Sequence, residues 1–162
     1  MGISDIVLYG DPILRANAEE IGDFNDDIKD LIEGMCVTLV EAHGYGLAGP
    51  QVGVSKRIFV YDIGEGPHAL VNPKILKSSG EEIATEGCLS IPGLQGDVAR
   101  AERVVVIGID ESGEKVKIKA QGLLARVFQH EIDHLDGIVF VDKADPETLE
   151  TIPIDDDEES EG

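Results

Sequence analysis

The chain has 162 residues, 42% of them hydrophobic and none of them tryptophan, with 13 basic side chains against 33 acidic ones and a formal charge of −20. That length carries one ordinary domain with an aliphatic core, and that charge argues against partners held by neutralised phosphates, DNA and RNA above all, and against an anionic membrane surface. No run reaches the roughly 18 apolar residues of a membrane span, and the opening MGISDIVLYG lacks the basic region and apolar core of a signal peptide, so a cytoplasmic location is expected, with an organellar or virus-encoded origin left open.

Asp11 before Pro12 reads as a cap followed by proline in a first turn, which predicts a short helix. From Asn25 onward Asp26 and Asp27 occupy another first turn. Ile28, Leu31, Ile32, Met35, Cys36, Leu39 and Val40 then recur at three- and four-residue steps up to Gly44, expected just past the helix end. Cys36 falls on that stripe as a small core residue, and free thiols are expected for it and for Cys88 rather than a disulfide. Residues 44–53, GYGLAGPQVG, contain the order G-x-G-x-x-G. A dinucleotide loop needs a strand before those glycines and a helix after them; here a helix precedes and a strand follows, so the match is accidental.

Strand patterns follow at residues 57–63, 68–76 and 81–86. Residues 103–110 and 115–120, joined by the turn ESGE, read as a hairpin whose second strand alternates lysine with apolar residues. Residues 122–134 return to helical period through Leu123, Leu124, Val127, His130, Glu131 and His134, closed by Gly137. His43, ending a helix, and His68, opening a strand, read as structural or exposed residues. From Asp142 to the end there are ten acids against Lys143 alone, leaving −11 for the first 141 residues. A catalytic domain over 1–142 and a mobile acidic tail over 143–162 are therefore expected, the tail with at most one short helical turn.

The stretch HEIDH, residues 130–134, carries the chemistry. Residues four apart on a helix lie one turn above each other, so His130 and His134 can grip one divalent ion while Glu131 reaches toward water on it. The ion lowers the pKa of that water to about 7, and the carboxylate moves the remaining proton to the leaving amine. A third ligand is needed. The common downstream extension would place histidine at position 140, where Phe140 stands, and Glu147 or Glu150 lies in the expected tail. Upstream, EGCLS offers Cys88 just after a strand, and a thiolate with two imidazoles leaves one open position, the count of a catalytic site.

Taken together, GYGLAGPQVG, EGCLS and QHEIDHLDG resemble the three successive motifs of the peptide deformylases, with similarity from about Gly10 to about Asp142. The resemblance implies a small α+β fold in which mixed, mainly antiparallel sheets surround a central helix bearing the two histidines. It implies removal of the formyl group from the formyl-methionine of new polypeptides, with Fe(II) as the usual ion, while the donor set also accepts Zn, Ni or Co. Carried over residue by residue, Cys88, His130 and His134 are the metal ligands and Glu131 the acid and base. Gln51 and the backbone N–H of Leu89 stabilise the oxyanion. Tyr45, Gly46 and Gly87 border the substrate backbone, and Leu123 and Val127 line a methionine pocket.

The same resemblance implies that Glu86 and Arg100 form a pair supporting the metal loop, against the plainer reading of a weak surface ion pair. Two departures stand out. Gly49 replaces a more usual alanine, which is expected to loosen the loop, and the acidic C-terminus replaces an often basic helix, which weakens any inference of ribosome contact. Two rivals stay open: a zinc endopeptidase, and a deformylase-like domain that binds formylated peptides without turnover.

Overall fold

The computed structural model describes residues 5–152. Its elements in chain order are a 3-10 turn Pro12–Arg15, helix α1 (Asp26–Ala42), strand β1 (Gly46–Ala48), a 3-10 turn Gly49–Val52, β2 (Ile58–Tyr61), β3 (His68–Ser79), β4 (Glu82–Cys88), β5 (Ile91–Arg100), β6 (Arg103–Ile109), β7 (Lys115–Gln121) and helix α2 (Leu123–Leu135). Two further 3-10 turns, Phe140–Asp142 and Pro146–Thr148, lead to a short β8 (Glu150–Thr151). The strands form a five-stranded sheet in the order β1-β2-β3-β6-β7 and a three-stranded sheet in the order β4-β5-β8, with every named pair antiparallel. This is the expected α+β architecture. No helix among the described residues is long and apolar enough to cross a membrane.

Local chemistry accounts for the helix ends. The Asn25 side chain accepts the Ile28 N–H at 3.1 Å, and Asp11 does the same for Ile13, which satisfies amides that a first turn leaves without partners. The residue that ends α1 in the left-handed region is His43 (φ 57°), one position before the expected Gly44, and its N–H closes onto the carbonyls of Leu39 and Val40.

Alternation along the strands divides the core. Phe59 and Leu70 point to one face of the large sheet and join Val104, Val106 and Ala120 beneath Ala125, Phe128, Ile132 and Leu135 of α2. Their neighbours Ile58, Val60, Ala69 and Val71 point the other way, against Ile32, Met35 and Leu39 of α1. The start of the large sheet thus lies between two helices, and α2 lies between the large sheet and the small one.

Two regions differ from the expectations. Residues 91–100, which carry Pro92, Gly93 and Gly96 and show no strand pattern, form the middle strand of the small sheet, paired to β4 from Glu82↔Arg100 to Cys88↔Ile91. Residues 143–152, expected in a mobile tail, belong to the packed domain. Ala144 is buried with Val98 and Phe140, Leu149 packs against them, and Ile152 N–H donates to Gly93 O at 2.8 Å. Apolar side chains that cover β5, and the open backbone edge of that strand, explain the ordering. The remainder of the tail expectation, 153–162, lies outside the described residues.

Candidate functional site

The small sheet and α2 meet through polar side chains. Cys88 ends β4 at a register shift and turns its sulfur toward α2, where Cys88 Sγ and His134 Nε2 are 3.4 Å apart. The ligand atoms of Cys88, His130 and His134 all lie within 4.8 Å of one another, the only such group of three or more potential ligands among the described residues. The His130 and His134 rings, one turn apart, have centroids 5.0 Å from each other. Phe140 stacks on His130 at 6.4 Å and an interplanar angle of 21°, so the position where a downstream third histidine would stand supports a ring instead.

His130 is held from behind. Its Nδ1 lies 2.9 Å from Glu86 Oε1, and a carboxylate can only accept, so Nδ1 carries the proton and Nε2 keeps its lone pair for a cation. Glu86 is the hub of a buried network: it accepts from Arg100 Nε at 2.6 Å and Nη2 at 3.0 Å and from Arg126 Nη1 at 2.6 Å. Arg100 also donates to Asp133 at 2.9 Å, and Arg126 to the carbonyls of Val98 and Glu82. Burial works against the Glu86 carboxylate, but hydrogen bonds from His130 and Arg100 overcome it and hold the group down at about 2. Glu86 and Arg100 are 7% and 5% exposed, so this is no surface ion pair. Arg126 and Asp133 complete it. Sequence reasoning missed both, although Arg126 stands one turn before His130, on the helix face that carries the ligands.

Glu131 is 3% exposed and burial raises its carboxyl to about 7. Its Oε1 and His134 Nδ1 are buried without a hydrogen-bond partner among the described residues. An unpaired buried carboxylate oxygen is costly, and beside a thiol and two imidazoles it marks a place shaped for a polar occupant. That donor set of one thiolate and two imidazoles suits a first-row divalent cation.

Gln51 is 1% exposed and its amide cannot turn: Oε1 accepts the Ala48 N–H at 2.9 Å, while Nε2 donates to Ser90 Oγ at 3.1 Å and points at Cys88 Sγ, 3.5 Å away. The glycines nearby answer to space. A Cβ on Gly46 would stand 2.4 Å from Glu131 Oε2, and one on Gly49 would stand 2.7 Å from Val54 O and 2.8 Å from Lys56 O. The absent methyl at Gly49 therefore leaves no gap, because backbone carbonyls fill the place.

Beside these groups lies one cleft of about 370 Å³, lined by Tyr45 and Gly46 on one side, Gly87, Cys88 and Leu89 on another, and Leu123, Val127, His130 and Glu131 along α2; Gln51 also borders it. The structure thus brings the residues to which the resemblance gave metal, catalytic and substrate roles to a single place, His134 lying just beneath, while Cys36 and His68 lie elsewhere. His43 lines the same cleft, as do Ile91, Leu94 and Ile152, none of which carried a sequence signal for it.

Comparison with known proteins gives a consistent result. The family model described as polypeptide deformylase matches residues 3–150. A peptide deformylase of Carboxydothermus hydrogenoformans is 53% identical over 145 residues, covering 90% of this chain and 95% of that protein. Among solved structures, a peptide deformylase from Thermotoga maritima superposes with a TM-score of 0.86 at 43% identity, covering 89% of this chain and 99% of that one. One from Synechococcus elongatus, in complex with actinonin, gives 0.85 at 44% identity over 88% and 79% of the two chains.

Proposed function

The chain belongs to the polypeptide deformylase family, and from that premise we propose how its own residues remove the N-formyl group from the formyl-methionine of a newly made polypeptide, releasing formate. The observation that carries the proposal is the convergence of Cys88 Sγ with the ring nitrogens of His130 and His134 beside the buried Glu131. When bound there, a divalent cation supplies the Lewis acidity that makes water a nucleophile near neutral pH. Fe(II) is the ion we assign; Zn, Ni and Co share the preference for these donors.

Glu131 takes a proton from the attacking water, and a carboxyl lifted by burial to about 7 is well matched to accept it and give it back. The water oxygen bonds to the formyl carbon, the carbon–nitrogen bond breaks, and Glu131 returns its proton to the departing amine. As the carbon turns tetrahedral, Gln51 Nε2 and the Leu89 N–H donate to the oxygen that gains charge. The held amide of Gln51 suits this role because it already faces the sulfur, so that only the weak contact to Cys88 Sγ is exchanged for the oxygen. The Glu86 network keeps His130 in one tautomer and orientation.

Tyr45, Gly46 and Gly87 offer backbone to an extended peptide, an added strand along the free edge of β1. Leu123 and Val127 take the methionine side chain. The partner is the N-formylated nascent peptide in the cytoplasm. A formal charge of −20 disfavours contact with the RNA of the ribosome.

Formate release from formyl-Met-Ala tests the reading, with protein loaded with Fe(II) in the absence of oxygen. The wild-type chain is expected to turn over, and Glu131→Gln to fall by roughly 10²–10⁴-fold. Equal release by both proteins would overturn the role given to Glu131, and full metal retention by Cys88→Ala would overturn the ligand set.

A further inference from the structure

Basic charge is scarce in this protein, and most of it is occupied. Arg15, Lys56, Arg57, Arg100, Arg103, Arg126 and Lys143 all sit in ion pairs. Six of the eight lysines form none among the described residues, and five of these share one surface: Lys74, Lys77, Lys115, Lys117 and Lys119.

The strand register places them together. Lys77 pairs across with Val105 and Val105 with Lys119; Lys74 pairs with Ile107 and Ile107 with Lys117; Ile109 pairs with Lys115. Residues that pair across strands project on the same face, and so do residues two apart along a strand. All five lysines therefore stand on the face of β3, β6 and β7 opposite to the one that Val104, Val106 and Ala120 present to α2. All five are exposed, above a half-buried floor of Val105 and Ile107. Arg103, in the next row, pairs with Glu102 and donates to Ser79 Oγ. At one end of this face lies a groove of about 350 Å³ bordered by Lys77, Arg103, Lys119 and Gln121. In a chain of −20, five cations held together with no ion pair among the described residues repel one another, unless an anionic partner covers them.

We propose that this lysine face is the docking surface for the acidic segment of the same chain, residues 155–161, in which six of seven side chains are carboxylates. Charge complementarity is one reason. Reach is the second: Ile152, the last described residue, lines the substrate cleft together with Leu123, and Gln121, two residues before Leu123, borders the lysine groove. Ten residues follow Ile152 and span at most about 33–36 Å. Tethering is the third, because a short linker raises the local concentration of an attached segment to the millimolar range. A second copy has no such advantage and brings another −20. Nucleic acid would meet repulsion from the rest of the surface.

Zero-length carbodiimide coupling of the full-length chain, mapped by mass spectrometry, tests this. Bonds from Lys77, Lys117 or Lys119 to carboxylates within 155–161 are expected in the monomeric product. Their yield should not change on dilution of the protein, and should fall several-fold when salt is raised to about 1 M, where screening acts within ~3 Å. A chain carrying Lys77→Glu and Lys119→Glu, with an unchanged circular dichroism spectrum, should lose the bonds at those positions and show a lower yield at Lys117. Coupling of the segment only to the nearby Lys143, coupling found only in dimers, or retention of single-stranded RNA by the full-length chain at physiological salt would each overturn the proposal.

Discussion

The two faces of α2 differ in what they ask of the sequence. Its sheet-facing side, Ala125, Phe128, Ile132 and Leu135, packs against Phe59, Leu70 and Val106 by shape and hydrophobicity alone. Its opposite side, Arg126, His130, Glu131, Asp133 and His134, is also largely enclosed, but by the polar network built on Glu86, Arg100 and Cys88. Apolar burial contributes to stability wherever the volumes match. Enclosing charges gains little net stability, since desolvation offsets most of the attraction, so the second side makes sense chiefly as a device that holds reactive groups in one geometry. One helix therefore anchors the fold with one half of its surface and carries the chemistry with the other.

Substitutions on each side should separate these contributions. Phe128→Ala, which removes a fully buried ring that meets Tyr61 edge-on at 4.9 Å, should cost about 3–5 kcal/mol of unfolding free energy in urea melts, while the protein that remains folded keeps its turnover. A loss below about 1 kcal/mol would show that the apolar side is not the anchor described. Across the cleft, Gln51→Ala should lower kcat/KM for formyl-Met-Ala by roughly 10²–10³, equal to about 3–4 kcal/mol of barrier, with metal content unchanged. Turnover within a few-fold of wild type would remove Gln51 from the oxyanion site.

Glu131 sharpens the contrast through pH. Its folded carboxyl is raised to about 7 from an ordinary 4.5, so between those values the folded chain holds a proton that the unfolded chain has released. In protein stripped of metal, this group makes stability decline as pH rises from about 4.5 to 7. Glu131→Gln lacks that decline, so its melting temperature relative to wild type should climb across the same interval. A difference that stays constant with pH would count against a carboxyl perturbed by burial. The smallest effect belongs far from both faces. Lys56 and Glu19 form an exposed pair at 3.2 Å, and Lys56→Ala should change stability by about 0–1 kcal/mol and leave turnover unaltered.

Much of the site was legible because its signals are local. The i, i+4 spacing of His130 and His134 needs only a helix to become a pair of ligands, and the apolar residues from Leu123 to Val127 announce that helix. Cys88 was legible as a ligand by its chemistry and by the lack of a histidine at position 140. Arg126 was not, because an arginine on a helix face gives no sign of the glutamate it will meet until β4 is laid against α2. β5 was hidden by Pro92, Gly93 and Gly96, whose turn-forming character is overridden by antiparallel pairing with β4 on one side and β8 on the other. Residues 143–152 looked like the start of a tail because they carry a proline and three acids and run on into the acidic end of the chain, while Ala144 and Leu149, the two that pack, are too few to register as a pattern.

The sequence by itself determined the periods of the helices and of most strands, the candidate metal ligands and the family to which the chain belongs, since each of these rests on short motifs whose residues are near one another along the chain. Only the tertiary structure decided that Cys88 approaches His134, that Glu86 is shared by two arginines and a histidine, and that five lysines without an ion pair among the described residues stand on one sheet face. Those are contacts between segments tens of residues apart, set by strand register and by the seating of α2 between two sheets, and no local spacing encodes them.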